Sequence, residues 1–134
     1  MANVLIVDDD ADTRELTVEL LESAGHRVRV RKDGEEGLKA LDAEPLPDCV
    51  LLDVEMPVLS GPEMAHRMLL HNAGEEEIPI VLVSGSPRLP AIAKQIGTPY
   101  FLAKASDDYP KALLAVLDLA LRERRAPRPG VAQD

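Results

Sequence analysis

Short apolar runs that stop at a polar residue alternate along this chain with stretches of helical spacing. Val4-Leu5-Ile6-Val7, Val50-Leu51-Leu52, Ile80-Val81-Leu82-Val83 and Tyr100-Phe101-Leu102-Ala103 are apolar without interruption, as strands buried on both faces must be. Val28 and Val30 instead alternate with Arg27, Arg29 and Arg31, the pattern of an edge strand with one wet face. Strands separated by helices cannot pair as hairpins. They form a parallel sheet with helices on both sides, because each connection must cross over the sheet.

The helical segments carry their own punctuation. Leu16, Leu20 and Leu21 share one face of the first, Asp12 and Glu15 fit a capping box, and Gly25 is placed to end it. A short helix around Leu38 and Leu41 stops before Pro45. Ser60-Gly61-Pro62-Glu63 opens another, with Met64, Met68 and Leu69 on its apolar side, and a polar loop at 72–77 follows. Pro87 to Gly97 holds a short helix with Pro90 in its first turn. The last helix covers Tyr109 to Arg124, with Leu113, Leu114, Leu117 and Leu121 inward. The reading is an α/β fold of the (βα)5 type: a doubly wound, parallel five-stranded sheet in one domain, residues 1–124. The remainder, RAPRPGVAQD, is too polar to pack and is expected to be a disordered C-terminal tail (125–134).

With 134 residues, 46% of them apolar, the chain suits one domain with a proper core. A formal net charge of -9 argues against nonspecific binding to nucleic acid or to an anionic membrane surface. Against that total, Arg122, Arg124, Arg125 and Arg128 read as a solubilising helix end. Cys49 is the single cysteine, so it reads as a small core hydrophobe in a reducing compartment. MANVLIVDDD meets acids too early for a signal peptide or a membrane span. A soluble cytoplasmic protein is expected.

The strand ends carry the chemistry. The first strand runs into Asp8-Asp9-Asp10, the third into Asp53, the fourth into Ser84 and the fifth into Lys104. In a parallel sheet these ends share one edge, and ligands bind where the strand order reverses. With the flavodoxin-like order 2-1-3-4-5, adopted from known doubly wound folds, Asp8, Asp9 and Asp53 crowd one crevice beside Ser84 and Lys104. Clustered carboxylates repel one another unless a cation is present. An all-oxygen donor set suits Mg²⁺ better than Zn²⁺, and Lys104 with the Ser84 hydroxyl suits an anion. Together they describe a phosphoryl site in which Asp53 is the nucleophile.

These residues resemble the receiver domain of two-component response regulators. The resemblance rests on VLIVDDD, LLDVEMP with Gly61, VSG and a lysine after the fifth strand, and it extends from about residue 3 to about residue 124. It implies that Asp53 accepts the phosphoryl group and that Asp8 and Asp9 hold Mg²⁺, Asp9 directly and Asp8 largely through water. Glu55 stands where the family uses a backbone carbonyl as a metal ligand. Ser84 matches the switch hydroxyl, Lys104 the phosphoryl partner and Phe101 the aromatic switch. The implied partners are a histidine kinase or His-containing phosphotransfer protein, and a downstream protein engaging residues 87–124. The protein is then a monomer or weak homodimer. It catalyses its own phosphorylation and slow dephosphorylation but turns over no external substrate. With no residues left for an output domain, a stand-alone receiver signalling by protein–protein contact is expected.

Three departures from the family pattern stand out. Lys104 is followed by Ala105, where the family has proline after a cis bond. A cis bond before another residue costs about 3 kcal/mol, so either the site holds one or the loop aims Lys104 differently. The segment from Ser84 to Lys104 is short and carries Pro87, Pro90 and Pro99. Glu55 adds a further carboxylate, which either tightens metal binding or repels a phosphodonor.

Plainer readings exist for each residue. An acidic triplet is often a helix cap, Ser84 a hydrogen-bonded turn residue, Phe101 a core residue and Lys104 a surface lysine. A receiver-like binding module that docks partners independently of phosphorylation is the alternative function. A metabolic phosphatase using an aspartyl-phosphate is a third, weakened by the lack of a cap domain.

Overall fold

The computed structural model describes residues 2–43, 47–54, 63, 78–105 and 107–125. The elements are β1 (Asn3–Val7), α1 (Ala11–Ser23), β2 (Arg27–Arg31), α2 (Gly34–Ala43), β3 (Cys49–Asp53), β4 (Ile80–Ser84), α3 (Leu89–Ile96), β5 (Phe101–Ala103) and α4 (Tyr109–Arg125). Glu55, Gly61, Met64, Met68, Leu69, the 72–77 loop and residues 126–134 of the expected tail lie outside the described residues; Arg125, expected to begin that tail, instead ends α4.

The five strands form one sheet in the order β2-β1-β3-β4-β5, every pair parallel. Alternation along each strand sorts the core into two layers. Leu5, Val7, Val50, Leu52 and Leu82 pack with Leu38 of α2 and with Leu89 and Ala93 of α3. Val4, Ile6, Cys49, Leu51, Val81 and Val83 pack on the other face with Leu21 of α1 and with Leu113 and Leu117 of α4. β3 and β4 are buried at every position, which explains their unbroken apolar sequences. Among the described residues no helix is long and apolar enough to cross a membrane.

Several local expectations are corrected. Leu16 is 45% exposed, while Thr17 and Leu21 are the buried positions of α1. Leu20 and Leu21 pack toward the core as expected and only Leu16 does not; Thr17 tolerates burial because its hydroxyl lies near that of Tyr109. The cap is Asp10 rather than Asp12. Its carboxylate accepts the Asp12 N–H at 3.2 Å and the Thr13 hydroxyl at 2.6 Å. Gly25 does close α1: at φ +92° it donates to Glu22 O, and His26 N–H reaches back to Leu21 O. Pro90 falls in the first turn of α3 as expected. β5 is not an interior strand. Among the described residues it pairs with β4 alone, and Phe101 is 39% exposed rather than a core residue.

Candidate functional site

The strand register sets the site. Val7 pairs with Leu52, so Asp8 and Asp53 come next on adjacent strands. Asp53 pairs with Val83, so Ser84 lies one step further along β4; Ser84 pairs with Ala103, so Lys104 is one step beyond β5. Each functional residue is thus at the carboxyl edge of its strand.

Asp8, Asp9 and Asp53 each bring a carboxylate oxygen within 4.8 Å of the others. Asp8 and Asp53 are buried, at 5% and 4% exposure, whereas Asp9 faces solvent. The Lys104 ammonium bridges the two buried acids, 3.3 Å from Asp8 Oδ2 and 3.5 Å from Asp53 Oδ2. Burial is the largest single influence on this amine and pushes its pKa down, but the carboxylates of Asp53 and Asp8 together outweigh it and raise the pKa above the ordinary lysine value. The lysine is therefore charged where the acids need a counter-ion.

The loop after β1 is tied from several sides. Asp8 N–H donates to Arg31 O at 3.1 Å, Asp10 N–H donates to Asp8 Oδ1 at 2.9 Å, and Arg14 Nη1 donates to Asp8 O at 2.8 Å. Ser84 is 1% exposed and its Oγ accepts the Ser86 N–H at 2.9 Å. That is the turn role expected of a serine. It uses the oxygen as acceptor, so the hydroxyl proton can still be directed elsewhere. The Lys104–Ala105 peptide is trans, so the loop reaches the acids without the family's cis bond.

The structure brings together Asp8, Asp9, Asp53 and Lys104, with Ser84 on the neighbouring strand end. Phe101 lies three residues from Lys104 on the exposed side of β5. Glu55 lies outside the described residues. The cap reading of the acidic triplet holds at Asp10, whereas the roles of Arg14, Thr17 and Tyr109 have no signal in the sequence. Asp10-x-x-Thr13 singles out which acid of the triplet is the cap; the others are tertiary relationships with no local pattern.

The three acids suit a divalent ion. Ligands about 2.1 Å from Mg²⁺ are at most about 4.2 Å apart; here the three carboxylate oxygens lie within 4.8 Å of one another, and the donors are hard oxygens.

The family model for the response regulator receiver domain matches residues 4–117. The chain belongs to this family. The receiver is 35% identical over 136 residues to the transcriptional regulatory protein FixJ of Bradyrhizobium diazoefficiens, which covers 98% of this chain and 63% of that protein. It is 36% identical over 107 residues to the CAI-1 autoinducer sensor kinase/phosphatase CqsS of Vibrio cholerae, covering 78% of this chain and 15% of that one. The receiver therefore spans less than two thirds of either relative's length. The structure of the V. cholerae chemotaxis protein CheY4 superposes with a TM-score of 0.78 at 30% identity, over 90% of this chain and 99% of that chain. A receiver domain of two-component signalling, with the strand order 2-1-3-4-5, is established on both grounds.

Proposed function

We propose that this receiver takes a phosphoryl group on Asp53 from a histidine kinase or a His-containing phosphotransfer protein, in a Mg²⁺-dependent step. The observation that carries the reading is the convergence of Asp8, Asp9 and Asp53 within 4.8 Å, with Lys104 against Asp53. An Asp53 oxygen attacks phosphorus as the donor P–N bond breaks, and the imidazole nitrogen leaves with the electron pair. Asp8, Asp9 and Asp53 would hold a divalent ion, which would supply positive charge toward the phosphoryl oxygens. Lys104, already beside Asp53, is placed to pair with the phosphoryl group that replaces the free carboxylate. Ser84 has a hydroxyl proton to offer a phosphoryl oxygen. Phe101, on the open side of β5, can then turn inward, and residues 87–124 form the face that a downstream protein reads. By its place in the family's motif alone, Glu55 would be an additional acid on the metal side. The domain occupies residues 1–124 and works in the cytoplasm as a monomer or weak homodimer; slow hydrolysis of the acyl phosphate resets it.

The test is phosphorylation by acetyl phosphate with and without Mg²⁺. Wild type should label and Asp53→Asn should not, while both keep the same circular dichroism spectrum. Labelling that persists in Asp53→Asn, or that ignores Mg²⁺ removal, sinks the assignment. One observation favours a second reading, a module that docks without phosphorylation: Lys104 is followed by a trans-linked alanine instead of proline. Partner binding unaffected by beryllofluoride would support it.

A further inference from the structure

Arg14 sits on the first turns of α1, outside the set of residues that the phosphoryl-transfer reading uses. Its Nη1 donates to the carbonyl of Asp8 at 2.8 Å. That carbonyl belongs to the peptide unit joining Asp8 to Asp9, the two acids that follow β1. A peptide unit is planar and rigid. Fixing its oxygen therefore fixes the rotation of the plane from which both side chains leave. Asp8 is already held through its own N–H, by Arg31 O, and through its carboxylate, by the Asp10 N–H. Neither of these bonds sets the plane between Asp8 and Asp9; the guanidinium does. Asp9 needs this most, because it is exposed while its two partner acids are buried.

We propose that Arg14 is a positioning residue that orients the Asp8–Asp9 peptide so that both carboxylates converge on a divalent ion with Asp53. The inference rests on the metal-binding reading of this site. It has a competitor of opposite sign. A guanidinium beside an acidic pocket also repels an incoming cation, so on electrostatics alone its removal should tighten binding. Orientation and charge thus predict changes in opposite directions, and a single titration separates them. Arg14 also forms part of the wall of an open groove of about 330 Å³ with Glu15, Val18, Glu19, Glu22 and Val30, so it can be replaced without opening the core.

The experiment is calorimetric titration of the unphosphorylated full chain with MgCl2, for wild type, Arg14→Ala, Arg14→Gln and Arg14→Lys, with melting temperatures taken in EDTA. Arg14→Ala and Arg14→Gln should each bind Mg²⁺ about tenfold more weakly, the lower end of what loss of a partner behind a metal ligand produces. Arg14→Lys, which keeps the charge and one donor but not the planar fork, should fall between them and wild type. The melting temperature without metal should change little. If the neutral variants bind equally or more tightly, the inference is overturned while the site reading stands. If Arg14→Ala does not fold, Arg14→Lys carries the test, and wild-type affinity there overturns the inference too. A wild-type protein that binds no Mg²⁺ overturns the metal site itself.

Discussion

The hydroxyls of Thr17 and Tyr109, on α1 and α4, lie 3.4 Å apart in the buried layer between helices and sheet, although 92 residues separate them in the chain. Burial raises the tyrosine's pKa, only partly offset by the Thr17 bond, and the charges of Asp8, Lys104 and Asp53 also act on it. This contact therefore fastens two helices close to the acidic pocket. The distance is long for a hydroxyl pair, so its contribution should be at the low end. Tyr109→Phe should cost about 0.5–1 kcal/mol, leaving Thr17 without that partner, and adding Thr17→Val should recover much of it. Urea denaturation of the four proteins in a double-mutant cycle checks this; strictly additive effects would show that the hydroxyls do not interact.

His26 gives a pH dependence with a defined sign. Its Nδ1 accepts the Ala2 N–H at 3.2 Å, which requires that nitrogen to be unprotonated. Burial lowers its pKa below the ordinary 6.5. The unfolded chain therefore takes up the proton first, and stability present above pH 6.5 is lost as pH falls through the lower folded value. Melting temperatures between pH 7.5 and 5 should fall in wild type and be flatter in His26→Gln. Equal slopes for the two proteins would remove His26 as the cause.

The cap of α1 can be read out by two alanine substitutions. Asp10→Ala should cost about 1 kcal/mol, because Asp10 accepts the Asp12 N–H and the Thr13 hydroxyl. Asp12→Ala should cost no more than a few tenths, through the helix dipole alone. The reverse ranking in chemical denaturation would restore the capping box read from Asp12 and Glu15.

Phe101 is the chain's one phenylalanine and is 39% exposed. Incorporated fluorophenylalanine should therefore give a single ¹⁹F resonance, moving from a solvent-exposed to a buried shift when Mg²⁺ and beryllofluoride are added. An unmoved resonance, with the mimic bound at Asp53, would detach Phe101 from the response.

The strands and the acidic pocket were legible in the sequence for one reason. A strand buried on both faces must be apolar throughout, so a carboxylate at its end is conspicuous. Val50 to Asp53 and Val4 to Asp8 announce themselves in this way, and parallel pairing brings their ends together. Of the two edge strands, β2 was legible from its alternation of valine and arginine and β5 was not. β5 reads as apolar as its neighbours, yet among the described residues it has only one strand partner and leaves Phe101 outward. On α1 only Leu16 was misread, because it resembles a core residue, whereas burial of Thr17 depends on Tyr109 at the far end of the chain. Arg14 was invisible for a similar reason: its partner is a backbone carbonyl, which no side-chain pattern records.

The bond from Lys104 N–H to Ser84 O, 2.9 Å long, has a mechanical consequence. It rivets together the main chains that carry the hydroxyl and the ammonium at the pocket. Neither backbone can shift alone without breaking a ladder rung. Any signal that leaves the pocket along this side must therefore either rotate side chains about fixed anchors or slide the ends of β4 and β5 together, as one lever.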